Sequence, residues 1–342
     1  MKKFKVCVVG CGNIARTHLS VLSALENVEI SGVVDCKNER ADAFAEKYGC
    51  VAYYDFEKML SESEVDCVHI CTPHYLHAKM AQSALKKGIN VLCEKPCAIS
   101  ESDLNVLKSA VLESRAQFGV CFQNRYNACV GLAKRIIESE SYGPLQGVGG
   151  CVRWFRDETY YSDDWHGKAE KEGGGVLTNQ AIHTVDLLRY LVGDEVEFVT
   201  GHVFNDSLRG IIEVEDTATV RYEFKNGLVA LLDASNAFSI NSDVVLDFFF
   251  ESGVRLHMSG QNLYLFDGDG NVERLSKNRD IGHLGKSYWG NGHGALIEDF
   301  YRCLELGKRF PIDFLEGSKA VSEVLAVYRS SRTDQKVRVE YF

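Results

Sequence analysis

Short apolar runs alternate with helical periods over the first third of the chain. Strand-like runs fall at residues 5–9, 29–35, 67–71, 90–93 and 118–122, and helical spacing recurs over 15–25, 40–48, 77–87 and 101–114. Such alternation predicts βαβ units around a parallel sheet. Ser100, followed three residues later by Asp103, marks a helix start.

After Asn127 the period changes. One helix is expected over 130–138, then Gly143-Pro144, then long strand-like segments at 145–155, 198–204, 218–224, 229–234, 244–250 and 254–257. Asn226-Gly227 and Ser252-Gly253 read as tight turns between adjacent strands. Strands joined by turns predict an antiparallel sheet. Helices over 293–306 and 316–332 follow. The expected division is an α/β domain over residues 1–122 and an α+β domain over 123–342.

Composition narrows the class. At 342 residues the chain exceeds one ordinary core. A net charge of -10 argues against a nucleic-acid surface, which would be basic. Cysteines pair at spacings of four, as Cys7/Cys11, Cys67/Cys71 and Cys93/Cys97, and no C-x-x-C occurs, so neither metal nor disulfides are expected. Thiols within apolar strands act as small hydrophobes, which suits a reducing cytoplasm. Met1-Lys2-Lys3-Phe4 faintly imitates a signal peptide, but the apolar stretch from Val6 to Val9 is too short for one. No run approaches the roughly 18 apolar residues of a membrane span. A cytoplasmic protein is expected.

Chemistry concentrates at strand ends. Gly10-Cys11-Gly12-Asn13-Ile14-Ala15 follows the first strand and opens the first helix, the G-x-G-x-x-A form of the dinucleotide fingerprint. Gly10 permits the turn, Gly12 lets backbone approach a pyrophosphate, and Ala15 allows close helix–sheet packing. Asp35 ends the second strand, where it would accept from ribose hydroxyls and repel a 2′-phosphate, favouring NAD over NADP. Lys37 and Arg40 follow and soften that preference. Thr72, Pro73 and His77 are expected to line the nicotinamide ribose. Glu94-Lys95-Pro96 ends the next strand, placing a lysine where an open α/β sheet binds ligands.

Four features occur in order: the fingerprint, Thr72-Pro73 with His77, Glu94-Lys95-Pro96, and Gln123-Asn124-Arg125-Tyr126-Asn127. Then come Gly173-Gly174-Gly175, Asn179, His183 and Asp186. Together they resemble the Gfo/Idh/MocA family of sugar and cyclitol dehydrogenases, over nearly the whole chain. The resemblance implies an N-terminal NAD(P)-binding Rossmann domain and a C-terminal domain for substrate binding and oligomerisation, built on a large, mostly antiparallel open sheet. It implies a homodimer or homotetramer acting on a small sugar-like substrate. By position, Lys95 and His183 match the family's catalytic lysine and histidine, and Glu94 and Gln123 join the cofactor set. Asn179 stands where inositol dehydrogenase-like members usually carry Asp. That weakens a myo-inositol assignment and resembles branches acting on nucleotide-linked amino sugars or their uronic acids.

Asn179, His183 and Asp186 are spaced as one helical face, and the preceding glycines are expected to let backbone pass close to a ligand. In hydride transfer from a secondary alcohol, an imidazole near its ordinary pKa of about 6.5 is a better proton acceptor than a lysine near 10.4. His183 is therefore expected as base and Lys95 as donor to the reacting oxygen, although a lysine base stays open. Arg156, Tyr161 and Trp165 are expected at the substrate wall, with Arg156 facing a carboxylate or phosphate. Two other functions compete: an NAD-dependent glycosidase working through transient oxidation and elimination, and a non-catalytic NAD-binding regulator.

Overall fold

The structure, a computed structural model, describes residues 3–276 and 292–342. It divides into two compact units. The first holds Met1–Phe122 and His293–Ser318, with Phe342; the second holds Gln123–Gly292 and Lys319–Tyr341.

The first unit carries six parallel strands: β1 (Phe4–Val9), β2 (Val28–Val34), β3 (Val51–Tyr53), β4 (Cys67–Ile70), β5 (Asn90–Cys93) and β6 (Phe118–Val120). Their order is β3-β2-β1-β4-β5-β6, so the strand order reverses between β1 and β4. Val6 to Val9 of β1 and all of β4 are buried. Continuous buried runs like these belong to a sheet covered on both faces. The crossovers are α1 (Asn13–Leu22), α2 (Asn38–Tyr48), α3 (Phe56–Glu62), α4 (His77–Lys86) and α5 (Glu101–Glu113). Ser100 caps α5 as its sequence suggested, its Oγ accepting the Asp103 amide at 3.1 Å. β3 and α3 were not predicted; three and seven residues are too short to show a period.

The second unit opens with α6 (Ala128–Glu138) and β7 (Leu145–Arg153). Three helices follow: α7 (Ala169–Glu172), α8 (Val176–Asn179) and α9 (Ile182–Val192). Then come β8 (Val196–Phe204), β9 (Thr217–Phe224), β10 (Val229–Ser235), β11 (Val245–Phe250), β12 (Arg255–Ser259), β13 (Asn262–Phe266) and β14 (Val272–Ser276). After α10 (His293–Leu306) and α11 (Phe314–Thr333), β15 (Val337–Arg338) completes a nine-stranded sheet. Its order is β14-β13-β12-β11-β7-β10-β9-β8-β15, with β7 and β10 parallel and the other pairs antiparallel. Gly227 and Gly253 turn the chain with φ of 87° and 84°, as the two dipeptides predicted. β9 and β10 alternate buried and open positions, so one face carries core and the other is open. Leu188 of α9 and Val327 of α11 lie over the buried face, against Gly150 and Gly201.

One boundary differs from expectation. Residues 293–318 group with the first unit, not the second. Leu296, Ile297, Phe300 and Tyr301 form the buried stripe of α10, and Tyr301 meets Phe4 of β1. A period shows that a helix has an apolar face, not which core that face meets. Among the described residues, no helix is long and apolar enough to cross a membrane.

Candidate active-site elements of the two units

In the first unit the fingerprint turn is shaped by two glycines for different reasons. Gly10 has φ 91°, and a Cβ there would lie 2.7 Å from the Cys71 carbonyl oxygen. Gly12 caps α1, and nothing lies within 4 Å of where its Cβ would be. Ala15 is fully buried, Ile14 half-buried and Asn13 exposed. The helix start has no side-chain cap, so its amides are available to an anion. This open cradle fits a dinucleotide pyrophosphate.

Asp35 does more than its sequence position implied. Its Oδ2 accepts the Cys11 amide and its Oδ1 the Lys37 amide, both at 2.8 Å, so the carboxylate also ties the fingerprint turn to the end of β2. Arg40 is exposed on α2. Thr72 and Pro73 are half-buried at the end of β4. His77 is buried and faces backbone: Nδ1 stands 2.7 Å from the Pro96 carbonyl oxygen and Nε2 2.8 Å from that of Thr72. The ring therefore sits between two loops and can donate its one N–H to either carbonyl. Burial pushes its pKa down, with the two carbonyls pulling the other way.

Lys95 is half-buried, and the Lys95–Pro96 peptide is cis. Glu94 is buried beneath it. Its Oε1 lies 3.0 Å from His18 Nε2 and 3.3 Å from His293 Nε2, while Oε2 accepts the Lys95 amide at 3.2 Å. Burial pushes this carboxyl up, but hydrogen bonds from His18 and His293 outweigh it and hold the pKa well below the usual range. His18, His69 and His293 escaped sequence reasoning. The available signal was His18, three residues after Ala15 and so one helical turn into α1.

In the second unit, Gln123 and Asn124 are buried in the turn Gln123–Tyr126. Gln123 Nε2 stands 3.5 Å from His183 Nε2, at the outer limit of a hydrogen bond. His183 is buried near the start of α9. The single helical face expected for Asn179, His183 and Asp186 does not form. Asn179 ends α8 and His183 belongs to α9. The Ala181 amide bonds the Val176 carbonyl at 2.7 Å, an i to i+5 closure that ends α8 before α9 begins. Asp186 is taken by Arg125 and Arg189.

Asn179 Nδ2 donates to Glu172 Oε1 at 2.6 Å and to Tyr160 Oη at 3.2 Å. The glycine run also serves a purpose other than the expected one. A Cβ on Gly174 would lie 2.0 Å from Tyr328 Oη, and one on Gly175 would lie 1.8 Å from the Glu215 carbonyl oxygen. The glycines make room for protein, not for ligand.

Of the expected substrate wall, Tyr161 packs in a cluster with Leu208, Ile212 and Val214, and its hydroxyl accepts from Asn236 Nδ2 at 3.1 Å. Trp165 is half-buried and lies over the His166 ring at 3.7 Å. Arg156 is buried between the rings of Trp154 and Tyr160, 5.0 and 5.1 Å from their centroids. Its Nη1 donates to the Phe155 carbonyl and to Asn241 Oδ1, and its Nε has no partner among the described residues.

Comparisons with known proteins give the family. Residues 4–122 match the oxidoreductase family with an NAD-binding Rossmann fold, GFO_IDH_MocA, and residues 130–256 match the GFO/IDH/MocA C-terminal domain. The chain belongs to the Gfo/Idh/MocA family. It is an NAD-binding oxidoreductase of the sugar and cyclitol dehydrogenase type. Glucose-6-phosphate 3-dehydrogenase of Bacillus subtilis is 30% identical over 58% of this chain and 56% of its own length. Myo-inositol 2-dehydrogenase of Thermotoga maritima is 25% identical over 73% of each chain. The WlbA dehydrogenase of Bordetella pertussis, solved with NADH and UDP-GlcNAcA, superposes over 100% of both chains with a TM-score of 0.86 and 25% identity.

Proposed function

We propose that this enzyme transfers hydride between NAD and a secondary alcohol of an anionic sugar, such as a nucleotide-linked uronic acid. Arg156 carries the choice of substrate. It is a buried guanidinium whose partners among the described residues are a carbonyl, an amide oxygen, the Tyr160 hydroxyl and aromatic faces, with no carboxylate among them. An isolated buried cation is costly, and an anionic ligand group would offset that cost. Asn179 supports the same choice, as does the UDP-GlcNAcA bound by WlbA.

When bound, NAD supplies the hydride acceptor. Gly10, Gly12, Asn13, Ile14 and Ala15 would hold its pyrophosphate and Asp35 its adenosine ribose, with Thr72, Pro73 and Gln123 toward the nicotinamide end. Asp35 disfavours a 2′-phosphate by charge. His183 accepts the hydroxyl proton at Nε2, and Lys95 donates a hydrogen bond to the same oxygen and stabilises the developing alkoxide. Asn179 orients the sugar. Self-association as a dimer or tetramer belongs to the same proposal, through the open sheet face that exposes Leu231 and Phe249.

The test is an NADH-absorbance and thermal-shift screen with cyclitols, aldoses, amino sugars, uronic acids and UDP-sugars. Hits should be confined to anionic sugars, and Arg156→Met should lose them. Strong turnover of myo-inositol would overturn the substrate choice. Leaving-group release without net NADH would indicate the glycosidase. Lys95→Ala and His183→Ala should each lose hydride transfer by at least ~100-fold while still binding NADH; full activity would reject that residue's role.

A further inference from the structure

A buried polar chain runs through the first unit and ends on the carboxylate beside Lys95. Tyr301 Oη stands 2.8 Å from His69 Nε2, His69 Nδ1 2.8 Å from His18 Nδ1, and His18 Nε2 3.0 Å from Glu94 Oε1. Both histidines are 0% exposed, so bulk water does not complete their hydrogen bonds. The chain joins α10, β4, α1 and the end of β5. None of these contacts is dictated by the dinucleotide fingerprint.

The protons can be assigned. Burial lowers the pKa of His18 and His69, so both rings are neutral near neutral pH, each with one donor and one acceptor. Glu94, an anion, only accepts, so His18 Nε2 carries its ring's proton. His18 Nδ1 then accepts from His69 Nδ1–H, and His69 Nε2 accepts from the Tyr301 hydroxyl. The reverse order would set a lone pair against the carboxylate. Tyr301 keeps its proton because burial raises its pKa well above the usual value. The chain therefore has one direction, and its last bond is charge-assisted.

We propose that His18, His69 and Glu94 form a positioning relay that locks the dinucleotide-binding helix α1 to the loop carrying Lys95. The proposal rests on the assignment of Lys95 to the reacting oxygen. His18 lies one turn inside the helix whose start forms the phosphate cradle. Glu94 grips His18 with one oxygen and the Lys95 backbone amide with the other. A single buried carboxylate thus sets both the cofactor helix and the lysine. Misplacement of reacting groups by about 1 Å can cost ~100-fold in rate, which is the effect such a lock prevents.

The other groups facing Glu94 do not replace His18. His293 of α10 donates to the same Oε1. The Cys121 thiol also hydrogen-bonds Glu94, the thiols of Cys71 and Cys93 and the ring of His77 sense its charge, and burial keeps the thiols protonated. His18, Glu94 and His293 also bring their ligand atoms within 4.8 Å of one another, a set that a divalent metal could use. The two contacts to the carboxylate, at 3.0 and 3.3 Å, are of hydrogen-bond length, and the metal content of the purified protein separates the two readings.

The relay is tested first in the wild-type enzyme. Nitrogen-15 NMR of histidine-labelled protein with NADH should show His18 as the Nε2–H tautomer and His69 as the Nδ1–H tautomer, assigned with His18→Gln and His69→Gln. Opposite tautomers, or a stoichiometric bound metal in the purified protein, would overturn it. The second test is turnover of the best substrate in the sugar panel. His18→Leu should lower kcat roughly 10- to 100-fold with NADH affinity held within about threefold. His18→Gln keeps an N–H for Glu94 and should recover most of the rate. A His18→Leu enzyme of wild-type kcat, or one whose lost kcat is not recovered by His18→Gln, would overturn the relay. If Lys95→Ala is inactive while His18→Leu is fully active, the relay alone has failed. If Lys95→Ala is fully active, the assignment of Lys95 has failed.

Discussion

Glu94 in the first unit and Glu215 in the second are almost equally buried, 6% and 5% exposed, yet their pKa values move in opposite directions. Burial raises the pKa of both. At Glu94 the hydrogen bonds of two imidazoles win, and the carboxyl falls well below its usual range. At Glu215 the donors are the amides of Gly175 and Leu177 and the Tyr328 hydroxyl, at 2.8, 3.0 and 2.8 Å, and burial still wins. The donors explain what each residue is for. Glu215 pins the glycine run beside β9 and α11, so it holds backbone. Glu94 is held by side chains from α1 and α10 and holds the loop of a lysine, so it sets geometry near chemistry.

Breaking each carboxylate should therefore produce opposite losses. Glu215→Ala orphans two buried amides at ~1–3 kcal/mol each and leaves the Tyr328 hydroxyl with Thr178 alone, so urea unfolding should show a loss of several kcal/mol. Turnover per folded molecule should stay near wild type. Glu94→Gln should do the reverse, lowering kcat by about tenfold or more with a smaller stability loss. If both variants lose stability and turnover in the same proportion, the distinction collapses.

The glycines sharpen the contrast. Gly175→Ala drives a Cβ into the Glu215 carbonyl and should cost ~3 kcal/mol or more by urea unfolding. Gly12→Ala meets no protein atom, so stability should stay within about 0.5 kcal/mol. NADH affinity should fall at least ~10-fold in a fluorescence titration, because the new methyl occupies the cradle. Unchanged NADH affinity in Gly12→Ala would remove the cradle from the binding site.

The smallest effect is in the pH dependence of stability, and its sign differs between the two residues. Glu94 has a depressed folded pKa, so its contribution is present above the unfolded value of about 4.3 and is lost as pH falls through the folded pKa. Glu215 has a raised folded pKa, so its contribution is full below about 4.3 and is lost as pH rises through the folded value. Denaturation midpoints across the acidic range should show Glu94→Gln flattening the low-pH fall and Glu215→Gln flattening the decline above it. Identical profiles for the two variants would contradict both directions.

Much of this was legible before folding. The βα alternation located five of the six strands of the first sheet, and the fingerprint named Gly10, Gly12, Ala15 and Asp35. The hairpins at Gly227 and Gly253 followed from local turn chemistry. The misses share a cause. Asn179 and His183 had helical spacing, but the i to i+5 closure at Ala181 depends on how α8 meets its neighbours. The glycines at 173–175 looked like a ligand cradle, yet Gly174 and Gly175 face Tyr328 and Glu215, more than 35 residues further along the chain. Tyr161 looked like a sugar platform, and its neighbours Leu208, Ile212 and Val214 made it core.

The sequence by itself determined the period of each element, the family motifs and the chemical types available for hydride transfer, because these depend on residue identity and local spacing. Tertiary structure alone decided that α10 belongs with the first unit and that His18, His69, Tyr301 and His293 converge on Glu94. With Glu94, those residues come from four segments far apart in the chain, and each looks ordinary where it stands. A buried carboxylate takes its charge from the donors packed around it, and the fold alone decides which donors arrive.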